Sequence, residues 1–193
     1  MTRAFIALAL DEATRGAVAA EIERLRPLCR AVAWVPSPNV HLTLAFLGEQ
    51  DDQRLADAAD ALDEAAAATA PFALTFHRLG AFPGMERPRI LWIGVAEGAL
   101  PLRALQGAIA AALDRRRFVL DARPWHPHLT IGRVFDPGRW RREAGPALRE
   151  AIARAAMTGF GTLAVSRIVL MRSDLSPSGA RYSQLRSVGF GAT

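Results

Sequence analysis

The fold of this chain is decided by two stretches of similar sequence, His41-Leu42-Thr43-Leu44-Ala45-Phe46-Leu47-Gly48 and His126-Pro127-His128-Leu129-Thr130-Ile131-Gly132-Arg133. Each contains a His-Leu-Thr triplet within a run of alternating apolar residues, which predicts a β-strand. Successive side chains of a strand point to opposite faces. We therefore expect His41 and Thr43 on one face and Leu42, Leu44 and Phe46 on the other, and the second stretch repeats this arrangement. The duplication indicates two half-sites that face each other.

Length and composition bound the kind of protein that carries this pair. The 193 residues can bury a sizeable core, and we expect residues 1–193 to form one domain built of two similar halves. The single Cys29 excludes an intramolecular disulfide and a multi-cysteine zinc site. It favours a reducing, cytoplasmic compartment and is expected to be a buried or neutral thiol. The apolar stretch at residues 5–10 is too short to span a bilayer, so no membrane segment is expected. We also expect the protein to be a monomer.

All basic residues of the chain are arginines, and the formal net charge is +5. A GC-rich coding sequence alone explains the absence of lysine. Arginine forks nevertheless suit phosphate groups, and a basic surface favours an anionic partner. Net charge does not distinguish RNA from DNA, from nucleotides or from no such partner.

The remaining pattern predicts strands and helices in both halves of the chain. Strands are expected at 3–10, 72–79, 89–95, 163–171 and 181–188, with a loop at 173–179. Helices are expected after the N-cap Asp11, from Asp51 and Asp52 onward, before the arginines at 115–117, and after a break at Pro137 and Gly138. This layout predicts an α+β fold of two pseudo-symmetric lobes, each an antiparallel sheet backed by helices.

Two His-x-Thr pairs supply the groups that phosphoryl transfer without a metal requires. Such a reaction needs a base for the attacking oxygen, an acid for the leaving oxygen and donors for the equatorial oxygens. Histidine serves as acid or base near neutral pH, because its ordinary pKa is about 6.5. Each threonine lies on the same strand face as its histidine and can donate its hydroxyl to a non-bridging oxygen.

Chance recurrence and metal binding are the two competitors of this interpretation. A single His-x-Thr is too short to be informative, but its recurrence at equivalent positions argues against chance. A zinc site built from His41, His126 and His128 is the second competitor, because imidazole is a common ligand. The threonines stand where a metal site more often has a carboxylate, so metal-free chemistry is favoured.

The sequence resembles the RNA 2′,3′-cyclic phosphodiesterases of the 2H phosphoesterase superfamily, historically called 2′-5′ RNA ligases. The resemblance rests on both motifs, on the opening stretch at residues 3–8, on Pro124-Trp125-His126-Pro127-His128-Leu129-Thr130 and on Gly179-Ala180-Arg181-Tyr182. It implies a bilobal fold with a central cleft, no metal and no other cofactor. It also implies a substrate RNA whose terminal 2′,3′-cyclic phosphate is opened to a 2′-phosphate, and some members join RNA ends in a reversible 2′-5′ reaction.

By this resemblance His41, Thr43, His128 and Thr130 match the four catalytic positions. We assign His41 as proton donor and His128 as proton acceptor. A sister activity on a small cyclic nucleotide or a 2′-5′ oligoadenylate is an alternative, and so is a non-catalytic module that binds RNA ends.

Five further residues are candidates for substrate binding. Arg133 lies at an odd offset from His128 and faces the site only if the strand contains a bulge. Arg181 and Tyr182 are expected near the cleft. Trp125 and Phe82 are candidate base-stacking surfaces. Phe46 could also stack on a base but is expected in the core, His126 is expected to position a neighbour or lie at the surface, and Trp34, Trp92 and Trp140 are assigned to packing.

Overall fold

In the computed structural model, which describes residues 1–155, 158–176 and 179–191, the chain forms nine β-strands and five α-helices. The strands are β1 (Thr2–Ala9), β2 (Val32–Trp34), β3 (His41–Gln50), β4 (Phe72–Phe82), β5 (Ile90–Glu97), β6 (His128–Val134), β7 (Gly159–Val165), β8 (Arg167–Ser176) and β9 (Gly179–Gly189). The helices are α1 (Glu12–Leu25), α2 (Asp52–Ala67), α3 (Ala99–Arg115), α4 (Pro137–Glu143) and α5 (Pro146–Ala155).

The strands form one curled antiparallel sheet in the order β7-β4-β5-β6-β3-β1-β8-β9, with β2 added beside β6. The order divides into two half-sheets of four strands that meet where β3 lies beside β6. Within the described residues, these two strands pair at one register position, Leu42 opposite Leu129. Each half-sheet carries one His-x-Thr strand at this junction. The prediction of a bilobal α+β fold is confirmed.

The two lobes repeat the same strand pairing residue by residue. Ala7 of β1 lies opposite Thr43, and Trp92 of β5 lies opposite Thr130. The next pairs place Ile6 opposite Ala45 and Leu91 opposite Gly132, so one extra residue is inserted in each motif strand. These β-bulges fall at Leu44 and Ile131, which are equivalent positions of the two triplets. The pseudo-symmetry therefore includes the irregularities of the strands.

The helices cover the apolar face of the sheet and cross between the lobes. The side chain of Asp11 caps α1, as predicted, by accepting from the backbone N–H of Thr14 at 2.8 Å. Asp51 caps α2 in the same way, by accepting from the backbone N–H of Arg54 at 2.8 Å. Helix α1 follows β1 of the first lobe, but it packs against β7 of the second lobe. In return, α3 of the second lobe packs against α2 and β3. The lobes thereby share one hydrophobic core.

Three segments differ from the sequence prediction. The strand expected at 163–171 is two strands, because the chain leaves β7 at Ser166 and crosses to the other lobe as β8. The loop expected at 173–179 is mostly the hairpin of β8 and β9, of which residues 177 and 178 lie outside the described residues. The break expected at Pro137 begins α4, because the Asp136 side chain accepts the backbone N–H of Arg139 at 2.8 Å.

Candidate active site

His41 and His128 have equivalent hydrogen bonds at the start of their strands. Nδ1 of His41 lies 2.7 Å from the carbonyl oxygen of Asn39, and Nδ1 of His128 lies 2.7 Å from that of His126. A carbonyl oxygen only accepts, so each neutral imidazole donates through Nδ1–H and presents Nε2 as an acceptor. The backbone two residues upstream thus fixes both tautomers. The sequence did not show which groups supply these hydrogen bonds.

The surroundings of both imidazoles favour their neutral forms. Burial lowers the pKa of His41, and its hydrogen bond to Asn39 opposes that change. Burial also lowers the pKa of His128, and its hydrogen bond to the carbonyl oxygen of His126 opposes that change. The positive charge of Arg133 lowers both pKa values further, and a charge on His128 lowers the pKa of His41. The two imidazoles therefore lie within electrostatic range of each other and of Arg133.

Thr43 and Thr130 are half-buried and lie on the strand face that carries the histidines. We call this side of the curled sheet the cleft face. Leu42 and Leu129 are fully buried on the opposite side, under the helices. In the part of the chain that the structure describes, neither threonine hydroxyl has a hydrogen-bond partner. Both hydroxyls are therefore free to donate to a bound oxyanion.

Aromatic rings surround each histidine. The Phe5 ring lies 4.7 Å from that of His41, and the Tyr182 ring meets the same imidazole edge-on at 5.1 Å. On the other lobe, the Phe82 ring meets the His128 imidazole edge-on at 5.1 Å, and the Trp92 ring lies 6.5 Å away. Tyr182 and Phe82 thus lie beside the two histidines. The rings pack against the imidazoles and contribute to their partial burial.

The bulges bring Arg133 and Phe46 to the cleft face. The extra residue Ile131 reverses the alternation, so Arg133 shares the face of His128 and Thr130, which meets the condition set by the sequence. Leu44 has the same effect on Phe46. The expectation that Phe46 lies in the core is wrong, because 59% of its surface is exposed. Phe46 and Arg133 are therefore equivalent positions of the two lobes with different chemistry.

The other candidate residues do not face the two histidines directly. The Trp125 indole donates to the carbonyl oxygen of Thr43 at 3.1 Å, and its ring packs against the core, so its hydrogen-bonding group is already used. Arg181 precedes Tyr182 on β9, and strand alternation directs it away from the face on which Tyr182 meets His41. His126 positions His128 through its carbonyl, as expected. Trp140 is 2% exposed, in agreement with a packing role.

Sequence reasoning missed Phe5 and Trp92 as neighbours of the histidines. Trp92 lies opposite Thr130 on the cleft face, next to Phe82, whose ring is 5.2 Å away. Its contacts at the site follow from strand pairing rather than from any local motif. Phe5 lies in a run of apolar residues in β1. That run predicts a strand but does not indicate that Phe5 lies beside His41.

Within residues 1–155, 158–176 and 179–191, no group of three or more His, Cys, Asp or Glu side chains is placed to hold a metal ion. His41, His126 and His128 are thus not assembled into the competing zinc site. Burial raises the pKa of the Cys29 thiol, which agrees with the prediction of a buried, neutral cysteine. Among the described helices, none combines the length and apolar character that crossing a membrane needs.

Two antiparallel half-sheets that each present a His-x-Thr pair to a shared cleft define the class of 2H phosphoesterases. Residues 14–177 match the model of the 2′-5′ RNA ligase superfamily, and the chain belongs to that family. It is therefore a hydrolase of this group.

Named relatives agree with this assignment over nearly the whole chain. An RNA 2′,3′-cyclic phosphodiesterase of Archaeoglobus fulgidus is 32% identical over 184 residues, which cover 95% of this chain and 98% of that protein. One of Thermotoga maritima is 31% identical, covering 97% and 95%.

Solved structures share the fold. A structure from Thermus thermophilus has a TM-score of 0.80 at 27% identity, covering 99% of this chain and 100% of that one. Escherichia coli LigT complexed with 3′-AMP has a TM-score of 0.74 at 22% identity, covering 98% of each chain, which shows the common fold.

Proposed function

We propose that this protein hydrolyses the 2′,3′-cyclic phosphate at the end of an RNA to a 2′-phosphate, without a metal. The observation that carries the proposal is the paired arrangement of His41 and His128, each with Nδ1 held by a carbonyl and Nε2 available to substrate. Relatives at about 30% identity named RNA 2′,3′-cyclic phosphodiesterase support the substrate class. We also propose that the protein is a single domain that acts as a monomer in the cytoplasm.

The reaction proceeds by in-line displacement at phosphorus. Nε2 of His128 accepts a proton from water as the water oxygen bonds to phosphorus. The bond from phosphorus to O3′ breaks on the opposite side, and His41 in its protonated form donates a proton from Nε2 to O3′. The product carries a 2′-phosphate and a free 3′-hydroxyl, and the proton balance is closed when the two imidazoles exchange a proton with solvent.

Five other side chains act on the phosphate and the base. The hydroxyls of Thr43 and Thr130 donate to the non-bridging oxygens, and Arg133 offsets the charge that these oxygens carry. The exposed Phe46 ring and the Phe82 ring offer flat apolar surfaces to the terminal base. If the 5′-hydroxyl of a second RNA replaces water, the same displacement forms a 2′-5′ linkage. The name of the matched superfamily supports this ligation as a second activity.

Product analysis tests the proposal. A short RNA ending in a 2′,3′-cyclic phosphate is incubated with the protein in excess EDTA, and the position of the phosphomonoester is determined. We expect a 2′-phosphate. A 3′-phosphate would overturn the assignment of O3′ as leaving group, and activity restored only by added metal would overturn metal independence. If a small cyclic nucleotide or a 2′-5′ oligoadenylate is turned over but RNA is not, the sister activity is favoured. If RNA is bound but not turned over, the non-catalytic module that binds RNA ends is favoured.

A substrate with sulfur in place of O3′ tests the two histidine roles, because a thiolate leaves without a proton. His41→Ala and His128→Ala should each lower turnover of the oxygen substrate by about 10²–10⁴-fold while remaining folded. The sulfur substrate should restore activity to the His41 variant and not to the His128 variant. Rescue of the His128 variant instead would reverse the two roles.

A further inference from the structure

The pseudo-symmetry of the two lobes breaks at one position of the cleft floor. Trp92 lies opposite Thr130, whereas the equivalent residue opposite Thr43 is Ala7. The Trp92 indole covers the second lobe, where a side chain added at Gly80 would collide with it. The small Ala7 does not fill the corresponding space in the first lobe, and it is buried in a cluster with Phe5 and Val169. A recess of about 60 Å³ lies there beside His41.

The recess has a polar wall supplied by Arg15 of α1, together with Tyr182 and His41. The rest of its lining is apolar, so these three side chains are the ones in the recess that can bind an anion. The nearby Asn39 side chain donates to the carbonyl oxygen of Ala180 at 2.7 Å, which ties β9 to the turn before β3 and fixes this wall.

Arg15 has no ion-pair partner in the described residues, since no carboxylate among them lies within 4.0 Å of its guanidinium. It is also half-buried, which strengthens its attraction for an anion relative to an exposed side chain. Several other arginines of the chain pair with a carboxylate, as Arg24 does with Glu21. Arg15 therefore carries a positive charge that the protein itself does not use, at the wall of a recess shared with a proposed catalytic residue.

We propose that Arg15 and Tyr182 form a second anion subsite, which binds the phosphate on the 5′ side of the terminal nucleotide. The proposal rests on the proposed function, because it takes the cyclic phosphate to lie between His41 and His128. The next phosphate of the strand is then the neighbouring anion, and the recess beside His41 receives it. The guanidinium fork suits its non-bridging oxygens. The subsite makes the preferred ligand a nucleotide with a 5′-phosphate, which a strand end has and a nucleoside 2′,3′-cyclic phosphate lacks.

Calorimetric titration with two product-like ligands tests the subsite. Adenosine 2′,5′-bisphosphate and adenosine 2′-monophosphate differ only in the 5′-phosphate. The wild-type protein should bind the bisphosphate at least about tenfold more tightly, as expected for a charge-assisted hydrogen bond. Arg15→Gln should remove most of that preference while leaving the affinity for the monophosphate within about twofold. Tyr182→Phe should reduce the preference by less.

The matched control is Arg103→Gln, which removes the same charge from an exposed position on α3. It should retain the wild-type preference. Equal affinity of the wild-type protein for the two ligands would overturn the proposal. An equal loss of affinity for both ligands in the Arg15 variant would also overturn it. So would a loss of the preference for the bisphosphate in the Arg103 variant.

A parallel assay separates this proposal from the proposed function. Hydrolysis of adenosine 2′,3′-cyclic phosphate, which has no 5′-phosphate, is measured for the same proteins. Turnover without any preference for the bisphosphate rejects the subsite and leaves the function standing. A preference that depends on Arg15, without turnover of any cyclic phosphate, upholds the subsite and rejects the function.

Discussion

Replacing Gly80 with alanine should lower turnover by disturbing the floor of the second lobe. Gly80 lies on β4 opposite Trp92, and an added Cβ would sit 2.2 Å from an atom of the Trp92 ring. Ordinary contact begins at 3.4 Å, so the ring must retreat by about 1.2 Å. It has little room to do so, because Phe82 and Gly94 flank it and its indole nitrogen is buried.

The expected cost has two parts. Overpacking of this kind typically costs about 1–3 kcal/mol of unfolding free energy, and each kcal/mol lowers Tm by about 2–4 °C in a chain of this size. The displaced ring also acts on His128, since Phe82 and Trp92 are both neighbours of that imidazole. A misplacement near 1 Å costs about 10²-fold in rate. We therefore expect kcat on the cyclic phosphate to fall by about that factor.

Steady-state kinetics and thermal denaturation of Gly80→Ala are compared with those of Gly84→Ala. Gly84 lies in the loop that follows β4, and an added Cβ there meets nothing within 4 Å. The control should keep wild-type values in both assays. If Gly80→Ala lowers Tm but leaves kcat unchanged, the indole does not position His128. Equal effects of the two substitutions would refute the packing argument itself.

Two further predictions concern the cleft face. Because burial and Arg133 lower the pKa of both histidines, the profile of kcat/KM against pH should be a bell with its maximum below pH 6.5. Arg133→Gln removes a charge that disfavours both imidazolium forms, so the maximum should move to higher pH, and an unmoved maximum would contradict the electrostatic argument. Phe46→Ala should change unfolding free energy by less than about 0.5 kcal/mol, because Phe46 is 59% exposed, but should weaken nucleotide binding by about 1–3 kcal/mol. A loss of about 3–5 kcal/mol in stability would instead mark a core residue.

The placement of the four proposed catalytic residues was predictable because its signal is local. His41, Thr43, His128 and Thr130 form two pairs, each spaced two residues apart within a short strand, and period-two alternation alone places each pair on one face. The position of Phe46 was not predictable in this way, since the bulge at Leu44 depends on how β3 pairs with β1. A bulge has no reliable signature in the strand that contains it.

The long-range packing also lay beyond a single sequence. Residues 163–171 are mostly apolar and read as one strand, although Ser166 separates β7 from β8. Nothing in this stretch of sequence shows that the two strands belong to opposite lobes. The packing of α1 against the other lobe likewise follows from the whole topology. Trp92 was assigned to packing because its contact with the site is made across strands.

Strands β3 and β6 pair directly beside both histidines. Leu42 follows His41 and Leu129 follows His128, so the register of this one described pair sets how far apart the two imidazoles lie. The shared core and the helices that cross between the lobes hold the two half-sheets together around it. The spacing of the proposed acid and base is therefore determined by backbone pairing and core packing, and not by contacts between side chains within the site.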